Sequence, residues 1–182
     1  MKVRVVVEGM SYSYANDSRF PGPDPYAPLK DLPEFPLHSR DFEDGQRLPE
    51  DLAAPRSRAP HLAWSDLPEG TKSLAITCFD PDAPTAAGFW HWAVCNIPAN
   101  VTEIGSEETI DAALTLIGDS GQRAYYGPQP PEGHGPHRYL FAVHAVDVEK
   151  LDIDANASPT VLGFQLYFHS LGRAVLWGWY EN

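Results

Sequence analysis

Asp80-Pro81-Asp82-Ala83-Pro84-Thr85, with His91-Trp92 close behind it, and Gly127-Pro128-Gln129-Pro130-Pro131-Glu132-Gly133, running into His137-Arg138-Tyr139, decide how this chain reads. Each is a Pro/Gly segment abutting an apolar run, with an Asp or His at the join. Proline fixes φ and carries no amide donor, so neither segment extends a helix or a central strand. They make stiff corners that hold a polar side chain at a strand end. Three such corners, presenting Asp80, His91 and His137, predict one preorganised polar pocket.

The flanking runs are strand-like. Residues 74–79 read as a buried strand ending at Asp80, residues 90–97 as a second, 137–146 as a third and 175–180 as a last, aromatic one. Ala63-Trp64 suits a short strand, and residues 15–36 form a Pro-rich surface loop. Near the start, Val3, Val5 and Val7 alternate with Lys2, Arg4 and Glu8, the period of a half-buried strand. Ser106, with Glu107 and Glu108 in the first turn, would cap a helical turn. The clearest helix starts at Ser158, a good N-cap, with Pro159 at the first helical position. Val161, Phe164, Phe168 and Leu171 then form one apolar stripe, and Gly172 marks the end.

Eighteen prolines and fourteen glycines, spread without a period, favour a mainly β protein over a helical bundle. At 182 residues one domain is expected, with residues 1–23 an N-terminal extension and 24–182 the domain proper. Hydrophobic content of 43% excludes wholesale disorder. A formal net charge of −12 repels phosphate backbones and anionic headgroups, which disfavours nucleic-acid binding and electrostatic membrane docking. No run of about 18 apolar residues would make a spanning helix. The first residues lack the apolar core and cleavage site of a signal peptide, so a cytoplasmic protein is expected. Cys78 and Cys95 lie in apolar runs and read as buried free thiols of a reducing compartment. The valine-rich strand is also suited to pairing with a sheet edge of its own chain or with another subunit as a homodimer.

Alternate side chains of a strand share a face. His137, Tyr139 and Phe141 therefore point one way, and Arg138, Leu140 and Ala142 the other. An imidazole and a phenol entering one cavity, joined by His91 and oriented by Asp80, are suited to a small anion. The bland readings stand beside this. Asp82 is a turn former, and Arg138, of the wrong parity for the pocket, pairs with a carboxylate. His144 is a satisfied strand histidine, and His38, His61, His134 and His169 have no supporting motif.

The ordered pair of segments resembles the two signature regions of the phosphatidylethanolamine-binding protein family, including its bacterial Raf-kinase-inhibitor-like branch. The resemblance spans about residues 24–180. It implies an antiparallel β fold, a large central sheet with a smaller one, with short helices and a C-terminal helix. It also implies a non-enzymatic module with an anion pocket lined by Asp80, His91, His137, Tyr139 and Pro130, with Trp90 at the mouth. The ligand would be a phosphate-containing small molecule or lipid headgroup, the partner a kinase or protease, and no cofactor is implied. Gln129 stands where many eukaryotic members carry glycine, which re-aims the backbone there.

Three other chemistries compete. Asp80, His91 and His137 could ligate zinc in a metal-dependent hydrolase, although no His-x-His or His-x-x-x-His spacing gathers ligands on one element. A serine hydrolase would need a Gly-x-Ser-x-Gly elbow, which is absent, and Ser120 sits in a turn sequence. A Cys–His pair would need an exposed thiol of low pKa. The Pro density also leads to the expectation of a cis bond at Ala83-Pro84 or beside the second motif. Finally, imidazoles titrating near pH 6.5 should make anion affinity rise as pH falls from about 8 to 6.

Overall fold

The computed structural model describes residues 22–105 and 110–182. The expected strand at residues 2–8 and the expected cap at Ser106 lie outside them. The described elements are β1 (Leu37–His38), β2 (Gln46–Arg47), β3 (Leu62–Trp64), β4 (Ser73–Asp80), β5 (Phe89–Pro98), β6 (Glu103–Ile104), β7 (Leu114–Thr115), β8 (His137–Val146), α1 (Pro159–His169) and β9 (Ser170–Tyr180). They form a six-stranded sheet in the order β2-β9-β8-β4-β5-β7 and a three-stranded sheet in the order β1-β3-β6. The large sheet is antiparallel apart from the two-residue edge strand β2, which runs parallel to β9.

Strand alternation builds two cores. Leu74, Ile76 and Cys78 of β4 and Tyr139, Phe141 and Val143 of β8 face the small sheet, meeting Phe42, Leu62 and Trp64. On the reverse face, Ala75, Ala93, Cys95 and Val146 meet Leu162 and Leu166 of α1. The central strand β8 is buried throughout and pairs with β9 along its length and with β4 from Leu140 to Val146. It is the rigid member from which the site hangs.

The helix starts as expected. Ser158 Oγ accepts from the Val161 amide, and Pro159 follows at the first helical position. Its buried face is not the expected one. Pro159, Leu162 and Leu166 are buried, while Phe164 and Phe168 are 67% and 61% exposed. The helix is apolar nearly all round, so periodicity could not select a face, and the sheet took the slimmer leucines. Nor does Gly172 end the helix. The helix stops at His169, whose ring meets Asp147 Oδ1 at 2.8 Å, and β9 begins at once. Gly172 lies within that strand, where a Cβ would come within 3.0 Å of the Pro33 carbonyl.

The expected cis bond is also elsewhere. Ala54-Pro55 is cis, and Ala83-Pro84 and the bonds of residues 127–137 are trans. The first corner closes by side-chain capping instead: Asp80 Oδ1 accepts from the amides of Asp82 (2.8 Å) and Ala83 (3.0 Å). Among the described residues, no helix is long and apolar enough to cross a membrane.

Candidate functional site

Asp80 ends β4 and His137 begins β8, and the pairing of these strands brings the two residues together. His137 Nδ1 donates to Asp80 Oδ2 at 2.8 Å, with both side chains almost wholly buried. Asp80 Oδ1 is already held by the turn amides, so its carboxylate cannot rotate away from the imidazole. The motif thus uses one carboxylate twice, to shape the corner and to fix a ring.

His91 reaches the same place by a β-bulge. Cys78 pairs with Trp92 and Phe79 with Trp90, which leaves His91 as an extra residue in β5. Bulges turn a side chain that strict alternation would send to the other face. His91 accordingly lies edge-on to Tyr139, ring centroids 5.1 Å apart, and 4.7 Å from the Phe89 ring. Trp90 turns the other way and packs on Phe79 at 4.5 Å. The expectation of Trp90 at the pocket mouth is therefore corrected: the aromatic neighbour in β5 is Phe89, because the residue before an inward histidine must point outward.

The strand carrying His91 is clamped by the segment after β7. Asp119 N donates to the Trp90 carbonyl at 2.9 Å, and the Trp90 amide returns to Asp119 Oδ2 at 2.7 Å. Tyr126 N donates to the His91 carbonyl at 3.0 Å, and His91 Nδ1 meets the Tyr126 carbonyl at 2.6 Å. A carbonyl only accepts, so Nδ1 carries the proton and neutral His91 keeps a bare Nε2. Burial holds the His91 pKa below the ordinary imidazole value, against the opposing pull of the Tyr126 carbonyl and Asp80. Burial, reinforced by Asp80, pushes the Tyr139 phenol far above its ordinary range, so its hydroxyl remains a donor.

His134, set aside on sequence as incidental, belongs to this cluster. Its Nδ1 meets His137 Nε2 at 2.7 Å. Gly133 and Gly135 flank it at φ of 72° and 88°, a left-handed pair that folds the exposed imidazole back over the strand end. The His-Gly-Pro-His spacing, with His134 itself between Gly133 and Gly135, was the available signal. Pro130 is buried and its carbonyl accepts from Asn182 Nδ2 at 2.6 Å, so its corner is tethered to the chain's last residue. No described polar contact joins Pro130 to the four polar residues. Gly127 is needed where the same segment crosses Leu52, since a Cβ there would overlap the Leu52 carbonyl.

Arg138 takes a carboxylate partner as its parity required: its guanidinium grips Asp82 from the opposite side of the strand. Both thiols are buried, Cys78 on one face of the sheet and Cys95 on the other, and burial raises both pKa values, Cys95 to about 11. Neither is a nucleophile of low pKa. Among the described residues, no group of three or more His, Cys, Asp or Glu is placed to hold a metal ion, so the zinc triad of Asp80, His91 and His137 does not assemble. The Nδ1 atoms of both histidines are instead taken by Asp80 and the Tyr126 carbonyl.

Known proteins share this architecture. Residues 38–181 match the family model for phosphatidylethanolamine-binding proteins. The chain is 43% identical over 150 residues to YbhB of Escherichia coli, covering 76% of this chain and 94% of that protein. It is 40% identical over 130 residues to YbcL of the same organism, covering 68% and 71%. The crystal structure of YbcL superposes with a TM-score of 0.77 at 35% identity, over 82% of this chain and 99% of that one. A homologue from Chlamydia trachomatis gives 0.73 at 28% identity, over 82% and 98%. The two sheets, the C-terminal helix and these matches agree: the chain belongs to the phosphatidylethanolamine-binding protein family.

Proposed function

We propose that this protein is a non-enzymatic binding protein whose cluster of Asp80, His91, His137 and Tyr139 takes a phosphate or phosphorylated headgroup. The Pro130 corner forms one wall, and the loaded protein modulates a partner such as a kinase or protease. One observation carries the reading: two buried imidazoles have their Nδ1 atoms fixed by acceptors, which directs both Nε2 atoms and the Tyr139 hydroxyl to whatever enters. The His134 ring now on His137 Nε2 sits on an exposed loop, so a ligand oxygen can displace it without disturbing the core. The protein's charge of −12 opposes anion entry, so capture depends on the Tyr139 hydroxyl and on a proton at Nε2 of each imidazole, since a bare Nε2 only accepts. Buried free thiols suit the reducing cytoplasm as the place of action.

The test is calorimetric titration with glycerophosphoethanolamine, a soluble phosphodiester whose charge does not change between pH 8 and 5. His137→Ala should weaken binding about tenfold or more, the loss of one charge-assisted hydrogen bond, and should also lower the thermal midpoint, because the buried Asp80 carboxylate loses its imidazole partner. Equal affinity in the variant would overturn the reading.

A further inference from the structure

A cavity of about 580 Å³ lies on the other face of the large sheet, between α1 and the segment around Tyr26. Such a volume is within the range of small-molecule sites. Its walls are apolar: Phe79 and Trp90 on the sheet side, Phe168 and Leu166 on the helix, and Leu29 at the rim. Polar atoms also line it. Thr77 is 2% exposed, and its Oγ1 faces Tyr26 Oη, so these two buried hydroxyls have only each other among the described residues. His144 shares the lining, with Nδ1 facing Ser170 Oγ at 3.1 Å. Arg173 lays its guanidinium over the Tyr26 ring, 4.6 Å from the centroid. Asp24, Asp31 and Glu34 line a neighbouring cavity beyond it, and none makes an ion pair with Arg173.

Two buried hydroxyls that have only each other leave one O–H without an acceptor, which costs about 1–3 kcal/mol when nothing meets it, and native proteins meet such groups with water or ligand. Water alone accounts poorly for a chamber of this size with aromatic walls. The remaining hydroxyl donor and a guanidinium that has no carboxylate partner among the described residues call for an acceptor that carries negative charge. The apolar remainder calls for a hydrocarbon or aryl body.

We propose that this cavity is a second binding site, separate from the histidine cluster, which takes a small apolar carboxylate, an aryl or short acyl acid. Its oxygens meet Tyr26 Oη, Thr77 Oγ1 and Arg173, and its body lies against Phe79, Trp90 and Phe168. Phe164 and Tyr167, exposed at the mouth, close over the tail.

Octanoate and 4-phenylbutyrate, each with the matching primary alcohol, are the probes, followed by calorimetry and by the emission of Trp90. The acids should bind at one site per chain, and the alcohols at least tenfold more weakly. Arg173→Gln should remove that preference, and Thr77→Val should weaken the acids about fivefold. Gly163→Leu offers a variant that keeps the fold, because a Cβ at Gly163 meets nothing within 4 Å while the side chain enters the lining. It should abolish binding with no loss of thermal stability. Binding of these acids should persist in His137→Ala, which separates this site from the first. Absence of acid binding, equal binding of acid and alcohol, or full binding by Gly163→Leu would each overturn the proposal. So would a dimer in sedimentation that Gly163→Leu abolishes, since a second copy would then be the occupant.

Discussion

Asp82 and Arg138 form a two-pronged ion pair, Oδ2 to Nε and Oδ1 to Nη2, both at 2.8 Å, directly behind the Asp80–His137 pair. Asp82 Oδ2 also accepts from the Arg138 amide at 2.9 Å. Two carboxylates two residues apart thus hold two consecutive residues of β8 from opposite sides. Arg138 is 2% exposed, so its charge has little water to fall back on.

Asp82→Asn should therefore be costly. Removing one partner of a buried ion pair typically costs about 3–5 kcal/mol; Asp82 is the more exposed partner and Arg138 keeps other contacts, so a loss near about 3 kcal/mol is expected. Urea unfolding measures it. A loss below about 1 kcal/mol would show that the other contacts of Arg138, the Pro23 carbonyl among them, hold the guanidinium without Asp82.

The helix supplies a pair of substitutions with opposite outcomes. Leu162→Ala opens space in the sheet-facing core and should cost about 2–5 kcal/mol. Phe164→Ser, on a side chain 67% exposed, should change stability by less than about 0.5 kcal/mol. Denaturant midpoints decide, and the reverse ranking would restore the apolar stripe read from sequence.

Acid should destabilise the fold through His144. Burial first, and then the charge of Arg173, lower its pKa to about 3 from an ordinary 6.5. The unfolded chain takes up the proton first, so stability is complete above pH 6.5. It falls by up to about 1.4 kcal/mol per pH unit as pH drops from 6.5 towards 3. His91, lowered by burial, adds in the same direction. His144→Gln should flatten the decline in thermal midpoint between pH 7 and pH 5. An unchanged slope would place the acid sensitivity elsewhere.

The His91 ring has a tautomer that NMR can read. Long-range nitrogen–proton spectra at pH 7.5 should show neutral His91 protonated at Nδ1, the atom given to the Tyr126 carbonyl. Glycerophosphoethanolamine affinity should rise as pH falls below 6.5, because burial sets the His91 pKa under that value and Nε2 turns from acceptor to donor on protonation. Nε2 protonation at neutral pH would invert the donor assignment and remove the pH dependence.

The corners and strands were legible because proline and strand periodicity act locally. Residues 137–146 are read as a strand from sequence and found as one, and the parity of Arg138 and Tyr139 follows directly from it. What escaped depends on contacts distant in the chain. The face of α1 is chosen by the sheet, since Leu162 and Phe164 are equally apolar. The strands β1, β2, β6 and β7 are two residues long and exist only through their partners. His134 joins the cluster because two glycines with positive φ bend it back, which no residue-type count reveals. Trp90 was misplaced because a single bulged residue reverses alternation, and bulges leave no pattern in composition.

That bulge makes β5 a partition one peptide thick. Trp90 opens into the chamber beneath the helix and His91 into the histidine cluster, although they are adjacent in the chain. Residue count here therefore acts like a reading frame. A substitution edits the furnishing of one room, whereas a one-residue deletion exchanges the occupants of both, setting indole beside Asp80 and imidazole beside Phe79. The loop of residues 127–135 has its own turns in which to absorb a change of length. The stretch from Phe89 to Trp92 has none, and its spelling can drift only if its number of letters does not.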